Sequence, residues 1–211
     1  KAWVCNTLIT SSNLVVASVS FNPLGLKLFL IYMIRVQMPE MEINIMKILI
    51  FTTRQLCYNS GYYFAHKIGE ELEKLGIECD YCEIPEYAIP SAGTQIAQPA
   101  IENAGKSVDE EAEKMLESYI GKEYLAILDF NSKLPRLVLD DESYYLDSID
   151  APFYNFILDH PLYHHSTLDC KLKNYYAFSI DENHCKYIQN FYPHIKAVYQ
   201  VALGAENVIP Q

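Results

Sequence analysis

From Met46 onward two rhythms alternate, short apolar runs and longer stretches with apolar residues at helical spacing. Residues 46–52 form a run of the kind a parallel sheet buries on both faces. Asn59-Ser60-Gly61 then opens a helix, because Phe64, Ile68, Leu72 and Leu75 fall at i, i+4, i+8 and i+11, and Gly76 closes it. Residues 77–84 read as a second strand, which completes a βαβ unit with a right-handed crossover. Residues 85–105 are rich in Pro, Ala and Gly and read as a long irregular loop. Ser107-Val-Asp-Glu110 is a capping box ahead of apolar Ala112, Met115, Leu116, Tyr119 and Ile120, which predicts a second helix to Gly121. Strands are expected at 124–128, 153–158, 175–180 and 196–202. Asp181 caps a helix running to about Tyr192, with Cys185, Ile188 and Phe191 inward. This order predicts an α/β fold: an open, mostly parallel, Rossmann-like sheet with helices on both faces.

Residues 1–45 follow neither rhythm and begin without Met. Met46 reads as the start of the domain, and the purine-rich codons of Met41-Glu42 stand where a bacterial ribosome-binding site would lie. The segment is therefore expected to be non-native or disordered and to add no core. Its apolar run, residues 24–34, is interrupted by Lys27 and preceded by Asn22 and Pro23, short of the ~18 clean apolar residues that a membrane span requires. No cleavage pattern of a signal peptide follows it. An integral span is not expected, and peripheral membrane contact stays open.

Composition narrows the classes. The 211 residues carry 27 acidic against 16 basic side chains, a formal charge of −11, which excludes a nucleic-acid binder working through bulk charge. Half the residues are hydrophobic and a fifth charged, the balance of a folded domain. Six cysteines without dense or regular spacing point to a reducing, cytoplasmic setting. Cys79 and Cys82 make a lone CxxC within a strand-like stretch, where an odd spacing sends the thiols to opposite faces, so neither zinc nor redox chemistry is expected there.

Chemistry is sought where open parallel sheets bind ligands, beyond the carboxyl ends of the strands. The first strand ends in Thr52, Thr53 and Arg54, and later ones end in Asp129-Phe130-Asn131-Ser132, Asp159-His160-Pro161 and Ser179-Ile180-Asp181. Any one such cluster is ordinary loop or cap chemistry, but their recurrence at one sheet end favours a site. Residues 159–165 hold three of the six histidines, His160, His164 and His165. A metal site is not expected, since no paired ligand motif accompanies them. A histidine beside a carboxylate suits acid/base work, which points to Asp159 and His160. His164 and His165 are adjacent and cannot easily face one ligand, while His184, one turn into the helix begun at Asp181, can simply cover the sheet. The loop from Thr53 to Gly61 is a possible anion site, but Gly61 alone does not make the three-glycine dinucleotide fingerprint, and no phosphate-loop lysine motif occurs. A flavodoxin-like redox protein and a non-catalytic small-molecule-binding module stay open as alternatives.

Met46-Lys-Ile-Leu-Ile-Phe51 with Gly61 opening a helix, then Leu75-Gly76, Asp129-Phe-Asn-Ser132, Asp159-His-Pro161 and Tyr192-Pro193 resemble the N-terminal half of bacterial GT-B glycosyltransferases. More narrowly, they resemble the group 1-like enzymes related to spore-maturation proteins, in which a strand ending in Asp-His-Pro precedes another strand and an Asp-x-x-His helix start. The resemblance covers residues 46–208. Ala202-Leu203-Gly204-Ala205 departs from the Pro-His-Gly-Gly-like turn of that pattern and removes a histidine from the site. It implies an acceptor-side domain for a sugar or glycan, with no cofactor of its own. The nucleotide-sugar donor is expected in a C-terminal domain that this chain lacks, so transfer by this chain alone is not expected. His160 is the expected base, Asp159 its runner-up, and Thr53, Arg54, Gly61, Asp129, Asn131, His164, Asp181 and His184 are the expected binding residues.

Overall fold

The computed structural model describes residues 10–11, 14–15, 47–54, 60–85 and 106–201. Strands β1 (Thr10–Ser11) and β2 (Leu14–Val15) pair antiparallel, apart from the main sheet. The main sheet is made by β3 (Lys47–Arg54), β4 (Glu78–Pro85), β5 (Ala126–Phe130), β6 (Phe153–Ile157), β7 (Tyr175–Ser179) and β8 (Ala197–Gln200). All six run parallel in the order β4-β3-β5-β6-β7-β8. The predicted open α/β sheet is therefore present. Its winding reverses between β3 and β5, the topological switch point of such folds.

Helix α1 (Ser60–Glu73) turns Ala65, Ile68 and Leu72 onto the face that carries Ile48, Ile50 and Leu128. Helix α2 (Lys106–Glu117), the short α3 (His165–Leu168) and α4 (Glu182–Phe191) lie over the other face, with Leu49, Phe51, Ile127 and Phe153. That division follows from right-handed crossovers. The step from β3 to β4 goes one way along the sheet, whereas those from β4 to β5 and onward to β8 go the other, and reversal of direction switches the face. Helices thus cover both faces as predicted. Central strands buried on both sides explain the near-continuous apolar runs, and each fully buried side chain such as Phe51 or Ile50 contributes roughly 1.5–3 kcal/mol.

Several expectations shift. The strand expected at 124–128 runs Ala126–Phe130, because Tyr124 and Leu125 are used earlier, in hydrogen bonds to Asp150 and Lys47. This draws Asp129 inside the strand. Helix α2 stops at Glu117 rather than Gly121, and Gly121, at φ +73°, takes the left-handed conformation that ends the following turn. Ala112 is buried and Leu116 and Tyr119 pack on the core, whereas Met115 and Ile120 are exposed. On α4, Cys185 and Ile188 face inward, but Phe191 is 65% exposed and Tyr192 takes the inward place, at i+7 from Cys185. Between β5 and β6, where no element was predicted, short 3-10 turns at Leu134–Arg136 and Tyr145–Ser148 carry Leu134, Tyr145 and Leu146 into the core. Cys79 and Cys82 do lie on opposite faces of β4, and burial pushes both thiols up to about 12. The irregular loop expected at 85–105 falls, after Pro85, outside the described residues. So do the side chains of the capping box and most of residues 1–45.

Candidate functional site

The candidate site lies at the carboxyl ends of β5, β6 and β7 and begins with Asn131. This residue follows β5 at φ +46°, in the left-handed region that Asn tolerates better than most residues. Its backbone N–H donates to the Phe156 carbonyl at 2.8 Å. Its side-chain Oδ1 accepts from the Leu158 N–H at 2.9 Å, and Nδ2 donates to Oδ2 of Asp159 at 2.8 Å. One residue thereby ties the end of β5 to the end of β6 and orients the exposed carboxylate of Asp159.

His160 comes next and is also exposed. Its Nδ1 accepts from the Leu162 N–H at 3.1 Å and so caps the 3-10 turn Pro161–His164, with Pro161 suited to the first position of that turn. An Nδ1 that accepts leaves the neutral ring with its proton on Nε2, which makes His160 a hydrogen-bond donor outward rather than a base. His184, Tyr187 and Tyr163 present their rings edgewise to it, with centroids 4.7, 5.8 and 6.4 Å away. Asp181 caps α4, accepting from the N–H groups of Asn183 at 2.7 Å and His184 at 3.2 Å. Those two backbone bonds, His184 first, hold its carboxyl below the usual aspartate value. Beside the cap, Tyr163 is 82% exposed and Leu162 is exposed too.

His164 also approaches Asp159, Nε2 to Oδ2 at 3.9 Å. Burial lowers its pKa against the pull of Asp159, so near neutral pH the ring is uncharged and the two do not form an ion pair. His165 turns away and its Nδ1 lies 2.8 Å from the Tyr192 hydroxyl. The adjacent histidines therefore serve different partners.

Beneath the exposed cluster runs a buried polar chain. Asp129 Oδ1 accepts from the Phe130 N–H at 2.7 Å, and its carboxyl group also bonds the Ser132 side chain. Ser132 Oγ accepts from the Leu134 N–H at 3.1 Å, and the Ser132 N–H donates to Asn155 Oδ1 at 3.1 Å. Asn155 Nδ2 donates to the Tyr175 hydroxyl at 3.0 Å. Asp129 and Asn155 are register partners on β5 and β6, which puts their side chains on the same face. Burial is the dominant influence on Asp129 and raises its pKa to about 7, the two hydrogen bonds opposing it.

The sequence-predicted residues thus fall into three places. Asn131, Asp159, His160, His164, Asp181 and His184 gather at the ends of β5 to β7. Asp129 lies under that cluster as a buried support. Thr53 and Arg54 end β3, paired with Ile84 and Pro85, and Gly61 sits in the first turn of α1, where an added Cβ would meet that of Phe130 at 3.8 Å. These three mark the switch point, and the side chains of Thr53 and Arg54 lie outside the described residues. Asn155, Tyr175, Tyr187 and Tyr163 were not singled out from the sequence. Asn155 had a readable signal, a lone amide in the apolar run Phe153-Tyr-Asn-Phe-Ile157.

Among the described residues no group of three His, Cys, Asp or Glu is arranged to hold a metal ion, and no helix is long and apolar enough to cross a membrane. What fold and site define is a class: a doubly wound, parallel α/β domain with a polar cluster at its carboxyl edge. No family model, no curated protein and no solved structure matches the chain.

Proposed function

We propose that this domain is the acceptor side of a glycosyltransferase, binding a sugar or glycan hydroxyl at the carboxyl ends of β5 to β7. The observation that carries the reading is the Asn131–Asp159 pair beside the capped ring of His160. Asn131 occupies Oδ2 of Asp159 and leaves Oδ1 to accept from a ligand hydroxyl, while His160, the next residue in the chain, has an Nε2–H to donate. An acceptor and a donor on consecutive exposed residues suit the vicinal hydroxyls of a sugar, and the exposed Tyr163 ring offers an apolar surface for the sugar's C–H face. In transfer the attacking hydroxyl must lose a proton, and in this reading Asp159 takes it, because the tautomer of His160 leaves that ring without a free lone pair. The donor nucleotide-sugar is bound by another part of the enzyme.

A flavodoxin-like flavin site at the switch point is the second reading, favoured by a strand order that begins as flavodoxin-like sheets do. A saccharide panel and flavin mononucleotide, titrated separately into the isotope-labelled full chain, distinguish the two. Saturable saccharide shifts at Asn131, Asp159 and His160, weakened at least tenfold in Asp159→Asn with an unchanged melting curve, are the expected result. Saturable flavin binding with no saccharide shifts transfers the assignment to the second reading, and no response to either ligand refutes both.

A further inference from the structure

A strip of rings leads away from the candidate site along α4. From Tyr163 through His160 and Tyr187 to Phe191, successive ring centroids lie 6.4, 5.8 and 4.6 Å apart. Its two ends, Tyr163 at 82% and Phe191 at 65%, are the most exposed large apolar side chains among the described residues. Its middle is fixed. Tyr187 packs against the core, and its hydroxyl is hydrogen-bonded to that of Tyr192, which in turn lies 2.8 Å from Nδ1 of His165. A ring held in this way loses little freedom when a ligand covers it. Apolar side chains exposed singly are ordinary on a protein surface, whereas exposed rings in mutual contact that begin at a polar cluster mark a place where something binds.

We propose that this strip receives further residues of a glycan chain, so that the ligand is an oligosaccharide rather than a single sugar. The inference rests on the reading of Asp159 and His160 as the sugar site and extends that site along α4. Asn183, Tyr187, Asn190 and Phe191 stand at i, i+4, i+7 and i+8 and share one face of the helix, so exposed amides accompany the rings. A pyranose presents the two matching surfaces, C–H faces that lie on rings and hydroxyls that bond to amides. Charge favours a neutral ligand over an ionic one. Glu182 and Lys186, the charged side chains flanking this face of α4, pair with each other at 2.6 Å across one turn, and a formal charge of −11 on the chain opposes a polyanion. Each ring-to-ring step is comparable to the length of one sugar residue, so with one unit at Asp159, His160 and Tyr163 the next units lie on Tyr187 and Phe191.

Dependence of affinity on chain length tests it. Two series, glucose to cellotetraose and N-acetylglucosamine to chitotetraose, are titrated into the isotope-labelled full chain and followed by NMR. Covering a side chain as exposed as Phe191 is worth about tenfold in affinity or more, so in the series that binds the tetrasaccharide is expected to exceed its monosaccharide by that factor. Phe191→Ala is expected to lose this gain and keep the monosaccharide affinity, while Phe191→Trp, which retains a ring, keeps both. Equal affinity at every length overturns the inference and leaves the sugar site at Asp159 standing. A gain with length that survives in Phe191→Ala overturns it too, as does a dimer in sedimentation equilibrium that Phe191→Ala dissolves. Saccharide binding that Asp159→Asn leaves unchanged refutes the underlying sugar site instead, and binding in neither series refutes both.

Discussion

Asp129→Asn should make the protein less sensitive to alkali. The wild-type carboxyl has a folded pKa of about 7 against 3.8 for an aspartate in the unfolded chain, raised chiefly by burial. Between those values the folded state holds a proton that the unfolded state has released, so stability falls as pH rises, by 1.36 kcal/mol per pH unit, and the loss is complete above about pH 7. Over the whole window the loss is roughly 4 kcal/mol, of which ~2–3 kcal/mol falls between pH 5 and pH 8. His164 acts with the opposite sign. Burial lowers its folded pKa below 6.5, so stability is lost as pH falls through the unfolded value, and the two effects partly cancel in the wild type alone. Comparing variant with wild type isolates Asp129. An amide keeps an acceptor for the Phe130 N–H and removes the charge, at the cost of about 1 kcal/mol of hydrogen bonding that does not vary with pH. Urea unfolding of both proteins at pH 5 and pH 8 reads the difference. Relative to wild type, the variant should gain ~2–3 kcal/mol on going from the lower to the higher pH. Equal pH dependence in the two proteins would refute the claim that burial raises the pKa of this carboxyl in the folded state.

Two further outcomes follow from local geometry. Asn131→Ala removes the side-chain tie between β5 and β6 and imposes φ +46° on a residue that resists it, so a loss of about 2–4 kcal/mol is expected, whereas Asn131→Gly should recover roughly 1 kcal/mol of it by relieving the backbone alone; denaturant midpoints of the two variants check the order. Gly69→Ala, a change that normally favours a helix by about 1 kcal/mol, should instead destabilise by about 1–3 kcal/mol because the new methyl meets the Tyr81 ring and hydroxyl, and Tyr81→Phe in the same background should restore only the hydroxyl's share; thermal melts of the single and double variants read both.

The alternation of apolar runs with helically spaced segments carried the class of fold, the strands of the sheet and the cap at Asp181, since each rests on local periodicity or a local hydrogen bond. Local signals also placed Asn131, Asp159 and His160 at strand ends. What periodicity does not encode is where a strand stops, because that depends on the neighbour it pairs with. Pairing with β6 kept β5 in the sheet through Phe130, and Asp129 became a buried support rather than a crevice residue. The same holds for Phe191 and Tyr192, two aromatics in sequence of which only one meets the core, a choice made by how α4 lies on β7 and β8. The sequence alone put a histidine beside a carboxylate. Only the tertiary structure decided which nitrogen of His160 is spent on a backbone N–H and which oxygen of Asp159 Asn131 occupies, because both depend on chain segments that folding brings together and the linear order leaves unspecified.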